Sequence, residues 1–82
     1  MKQKELERAI EKMVHEVNWY SFSAERAKKR NLPMIEQDYF SRILGVDKAM
    51  LFLGYLLEAD GKRTDYVDGE VIEYTIYKAG MV

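Results

Sequence analysis

The stretch Lys28-Lys29-Arg30-Asn31-Leu32-Pro33-Met34 separates two runs of helical periodicity. Proline disfavours helical geometry in the residue before it and suits the first turn of a new helix. One helix is therefore expected to end near Arg30 and another to begin near Met34. A link that short makes an antiparallel αα-hairpin.

Upstream of the link, Leu6, Ile10, Met13, Val17, Tyr20, Ala24 and Ala27 are spaced alternately by four and three residues. This repeat predicts an amphipathic first helix over residues 2–30, with Glu7, Glu11 and Glu16 on its exposed side. Residues 18–23 are poor helix formers, so a break capped by Ser21 or Ser23 competes with continuity, and continuity is favoured. Downstream, Tyr39, Ile43, Val46, Met50, Leu53 and Leu57 repeat the spacing and predict a second helix over residues 34–59. Gly45 followed by Asp47 offers a point at which it could split, and Asp60-Gly61 is expected to end it. Asp68-Gly69, flanked by alternating apolar and polar residues, is a strong two-residue turn signal and predicts a β-hairpin over residues 63–77. The expected fold class is α+β: two long antiparallel helices followed by a C-terminal β-hairpin, in one domain over residues 1–82.

The composition is that of an ordinary globular domain, with 48% hydrophobic and 33% charged residues. So short a chain buries only about 60–65% of its unfolded surface, which makes a supplement to the core valuable. The absence of cysteine excludes disulfides, thiol catalysis and cysteine-based zinc sites. No apolar run approaches the length that spans a bilayer, and the N-terminal residues lack the pattern of a signal peptide. A cytoplasmic location, in the host cytoplasm if the protein is viral, and no membrane association are the expectation. The net charge of −1 is unevenly divided: residues 1–31 carry eight Lys/Arg and five Asp/Glu, residues 32–82 five and nine. This division could orient a partner or favour self-pairing, although ordinary helix-surface charge explains it as well.

His15, the single histidine, has Glu11 and Trp19 four residues away on the same helix face. No nucleophile is tied to it by motif, so a packed or half-exposed structural histidine is the preferred reading. Trp19, Tyr20 and Phe22 form an aromatic group that either packs in the core or anchors a partner or ligand. Arg26, Lys28, Lys29 and Arg30 are the one basic cluster. Phosphate binding is one use for it, but cations at a helix C-terminus are favoured by the helix dipole whatever the function. The acidic residues of the hairpin do not match the spacing of a calcium loop, and no glycine-rich phosphate loop is present. No catalytic residue, metal site or cofactor is expected.

Residues 49–57 are apolar around the whole circumference of the predicted helix, and a monomer this small has too little material to cover them. Leu51, Phe52 and Tyr55 are the self-association candidates. Trp19, Tyr20, Phe22, Arg26, Lys28, Lys29 and Arg30 are the partner- or ligand-binding candidates. The functional expectation is a small non-enzymatic interaction module of the inhibitor, adaptor or regulator type. It would act as a homodimer or higher oligomer and bind another protein. An inhibitor of a host defence enzyme, encoded by a bacteriophage or mobile element, is one concrete form of that format. The alternative is nucleic-acid or nucleotide binding through the cluster from Arg26 to Arg30 and the neighbouring aromatics.

Overall fold

The first helix, α1 (Gln3–Lys29), runs without interruption. At about 1.5 Å per residue its 27 residues reach about 40 Å, nearly the 43 Å long axis of the molecule. It is the spine on which α2 and the second strand of the hairpin pack. The computed structural model describes residues 2–82. In it α1 is followed by α2 (Pro33–Phe52) and by two antiparallel strands, β1 (Tyr55–Val67) and β2 (Glu70–Met81). The expected α+β architecture is the observed one.

The link between the helices is closed by local geometry. Asn31 adopts a left-handed conformation (φ 57°), its N–H donates to Lys28 O, and the Leu32 N–H donates to Ala27 O at 2.9 Å. These two bonds are the Schellman pattern, with asparagine standing where glycine is commonest. Pro33 then opens α2 at a position that has no need of an N–H donor. The α1 seam is buried at Ile10, Val17, Ala24 and Ala27, and Ile43 and Met50 are the buried residues of α2. Gly45 does not split α2.

The second helix is shorter than its apolar spacing predicts. It stops at Phe52 rather than Ala59, and the glycine that stops it is Gly54, at φ +85°, not Gly61. Tyr55, Leu56 and Leu57 belong to β1, where they pair with Met81, Gly80 and Ala79. The hairpin thus begins at Tyr55, not Arg63, and its second strand ends at Met81, not Tyr77. The helix-forming bias of Leu56, Leu57, Glu58 and Ala59 is overridden because the C-terminal residues supply a complete backbone ladder. Asp60 and Gly61 lie in a bulge between the pairs Ala59–Tyr77 and Lys62–Thr75, where two β1 residues oppose the single Ile76.

At the hairpin tip Asp68 (φ 51°) and Gly69 (φ 76°) both have positive φ, as a type I′ turn requires. This turn sets the register: Val67 pairs with Glu70, Asp65 with Ile72 and Arg63 with Tyr74. One face of β2 carries Ile72, Tyr74 and Ile76 onto Phe22 of α1, and Val67 joins them from β1.

The outer edge of β2 is not left bare. Alternation in the ladder turns the backbone groups of Val71, Thr75 and, beyond the bulge, Tyr77 away from β1. Side chains of α1 meet them. Ser21 Oγ donates to Thr75 O at 2.7 Å, Asn18 Oδ1 accepts from Tyr77 N–H at 2.7 Å, and Asn18 Nδ2 donates to Tyr77 O at 3.3 Å. Lys29 Nζ donates to Val71 O. Polar residues of the helix thus engage four of the outward backbone groups of β2, in the place of a third strand.

Candidate functional site

The basic cluster at the end of α1 lies beside the hairpin tip. Arg26 Nη2 is 2.8 Å from Asp68 Oδ2, and the Arg30 guanidinium donates through Nε and Nη2 to Glu70 Oε1 at 3.0 and 2.8 Å. With Lys29 on Val71 O, three of the four cationic side chains engage the turn and the start of β2, while Lys28 is exposed. The hydrogen bond from Arg30 holds the Glu70 carboxyl below the usual glutamate range, and Glu70 in turn raises Arg30. The cluster works as a clamp between helix and hairpin, and its charge is largely answered within the chain. The clamp leaves Arg26 Nε and Glu70 Oε2 buried without hydrogen-bond partners among the described residues.

The three aromatic candidates have three different surroundings. Phe22 is buried and meets Tyr74 edge-on, with ring centroids 5.3 Å apart and planes at 78°. Tyr20 lies between the helices, its ring 6.0 Å from that of Tyr39 and 5.8 Å from the Arg42 guanidinium, while its hydroxyl donates to Glu16. Trp19 is 56% exposed and stacks on Phe22 at 5.6 Å.

Trp19 forms one wall of an open groove of about 390 Å³ between α1 and the hairpin. Asn18 and His15 continue that wall, Phe22 and Tyr74 lie beneath, and Arg63 and Asp65 of β1 stand opposite. The Tyr74 hydroxyl donates to Asp65 Oδ2 at 2.6 Å. Burial, reinforced by this carboxylate, pushes the tyrosine above its ordinary pKa, so it stays neutral and keeps donating. Arg26 bounds both this groove and a second, smaller one that runs from Trp19 towards Leu32, Ile35 and Tyr39 of the helix–helix link. Trp19 is the ridge between the two. Both grooves combine an apolar base with a few fixed polar groups, the chemistry that suits a polypeptide or small organic ligand. Among the described residues no group of three His, Asp or Glu comes together as a metal centre would require.

Arg63, Asp65 and Tyr74 are groove residues that the sequence reading did not single out. The signal was available: counting outward from the Asp68-Gly69 turn sets Asp65 diagonally across from Tyr74 and Arg63 directly opposite it. Of the self-association candidates, Phe52 and Leu51 are exposed at the C-terminal end of α2, whereas Tyr55 is half-buried in β1. Their exposure continues along α2 through Phe40 and Leu44, each one residue beyond a seam position. No helix among the described residues is long and apolar enough to cross a membrane. Comparison with protein-family models, with curated proteins and with solved structures finds no match for this chain.

Proposed function

We propose that this protein is a small non-enzymatic interaction module that acts as a homo-oligomer and binds another protein through the groove at Trp19. The observation that carries the reading is the indole itself. A tryptophan left 56% exposed loses the burial that normally stabilises it, and yet this one is braced against Phe22 at 5.6 Å. A rigid, half-solvated aromatic between two grooves is the usual make-up of a binding hot spot, because little side-chain entropy is lost when a partner covers it. Arg63 and His15 at the rim add hydrogen-bonding groups that would fix the orientation of a bound segment. The reading favours a protein partner over nucleic acid because Arg26 and Arg30 are already paired with Asp68 and Glu70. A phosphate backbone would have to displace those carboxylates.

The test is affinity capture from a native host, comparing the protein with its Trp19→Ala and Arg63→Ala variants, each verified as folded by circular dichroism. A partner identified by mass spectrometry that is lost with Trp19→Ala and weakened with Arg63→Ala supports the reading. Equal capture by all three removes the groove from consideration. Binding to mixed oligonucleotides that is abolished by moderate salt would replace the protein-binding reading with the nucleic-acid one.

A further inference from the structure

We propose that two copies of the chain pair edge to edge along β1, antiparallel about a two-fold axis at Thr64, so that their hairpins form one continuous sheet. This rests on the homo-oligomer reading above and supplies its surface. The hairpin is the whole sheet, so each strand has one neighbour and one outer edge. Side chains of α1 occupy the outer edge of β2. Among the described residues no strand or side chain bonds the outer edge of β1 between Lys62 and Tyr66. Alternation from the Val67–Glu70 pair, which closes the type I′ turn, directs the backbone groups of Lys62, Thr64 and Tyr66 away from β2. All three residues are exposed, Tyr66 by 78%. An edge with free N–H and C=O groups is a template for another strand.

Charge names the occupant. Arg63 and Asp65 lie on the groove side of β1, and among the described residues neither belongs to an ion pair within the chain. Charged side chains on the inner face of an edge strand normally deter pairing, because a docking strand leaves them unmatched. A second copy of β1 matches them. Antiparallel bonding through the outward groups sets Lys62, Thr64 and Tyr66 against the partner's same set, so the register can change only in steps of two residues. With Thr64 on its own copy, Arg63 faces the partner's Asp65 and Asp65 faces the partner's Arg63. A slide of two residues sets Arg63 on Arg63 in one direction and Asp65 on Asp65 in the other, and larger slides leave both unmatched. Asp65 accepts from Tyr74 through Oδ2, which leaves Oδ1 for the partner's guanidinium. On the other face Lys62 lies beside the partner's Tyr66, a cation against an aromatic ring, and Thr64 beside Thr64. The like charges brought nearest, Asp60 and the partner's Asp68, are each answered in their own chain, by Lys78 and Arg26.

Sedimentation equilibrium of the full chain at micromolar concentration should give a dimer. Thr64→Pro removes an outward N–H and leaves the bonds between β1 and β2 in place, so it should give a folded monomer. Arg63→Asp and Asp65→Arg, each verified as folded by circular dichroism, should each raise the dissociation constant about tenfold or more, since each sets like charges together twice. Mixed in equal amounts, the two variants should recover the dimer, because every contact between positions 63 and 65 is then an opposite pair. On the parent, the amides of Lys62, Thr64 and Tyr66 should gain hydrogen-exchange protection as the concentration rises. A monodisperse monomer, a dimer that Thr64→Pro leaves intact, or protection at these amides that ignores concentration overturns the proposal. A dimer lost with Thr64→Pro whose reversed variants fail to recombine overturns the register. Trp19-dependent capture by a protein that stays monomeric would sink this interface and leave the partner-binding groove standing. A dimer without such capture would do the reverse.

Discussion

Replacing Asn18 with alanine tests how the hairpin is held to the spine. The amide accepts from Tyr77 N–H at 2.7 Å and donates to Tyr77 O at 3.3 Å, the only part of α1 that satisfies both backbone groups of one β2 residue. Removing it leaves the Tyr77 N–H without its acceptor in a partly buried position, which costs about 1–3 kcal/mol. The 3.3 Å bond is the weaker and adds little. Alanine is the better helix former by roughly 0.5 kcal/mol, which offsets part of the loss. The net expectation is a destabilisation of about 1–2 kcal/mol. For a domain of 82 residues the unfolding entropy makes 1 kcal/mol about 6 °C, so the melting temperature should fall by roughly 6–12 °C. Circular dichroism melts and urea titration measure the stability, and amide hydrogen exchange reads the mechanism. Tyr77 N–H should lose protection, while inward-facing amides such as that of Tyr74 should change only with global stability. A variant that melts with or above the parent and keeps Tyr77 protected would refute the reasoning, since the hairpin would then be held without any contribution from the Asn18 bonds.

Two further expectations address the helix end and the clamp. Gly54→Ala places a side chain at φ +85° in otherwise open space, so strain in the backbone alone should destabilise the domain by about 1–2 kcal/mol, whereas a helix running to residue 59 would be stabilised by the same change. Because the Glu70 carboxyl is held below its ordinary range by Arg30, its contribution is present above the unfolded glutamate pKa and lost as the pH falls through the folded value. The stability of the parent should therefore exceed that of Glu70→Gln near neutrality and converge on it in acid, as urea midpoints measured across the pH series will show.

Much of the groove was within reach of the sequence, but its exposure was not. Trp19 and Phe22 stand off the heptad seam of α1, which marks them as a second aromatic group. Which of them the hairpin covers depends on where β2 crosses the helix, and no local property of residues 18–23 encodes that. The basic residues from Arg26 to Arg30 are legible as a cluster, yet their partners Asp68 and Glu70 lie about forty positions away and are brought near only by the returning hairpin. A cluster that looked free for phosphate is thereby engaged.

Local chemistry by itself determined three things here. The three-four spacing from Leu6 to Ala27 forms one long helix, the Asn31-Leu32-Pro33 link reverses the chain, and Asp68-Gly69 turns the strands and sets their register. Each is decided by residues in direct contact along the chain, through side-chain periodicity, a left-handed asparagine, a fixed proline φ and a type I′ turn. Tertiary structure alone decided the rest. Residues 55–59 have helical spacing and helix-forming side chains, but they become strand because Tyr77 to Met81 offers them a ladder. Residues 18–23 are poor helix formers, and the continuity that the repeat favours is reinforced there because Asn18 and Ser21 are spaced to bond the outer edge of β2 and Phe22 to fill its face. In both places the local preference is worth a few tenths of a kcal/mol per residue. The backbone bonds made across the fold are worth about 1 kcal/mol each, and they prevail.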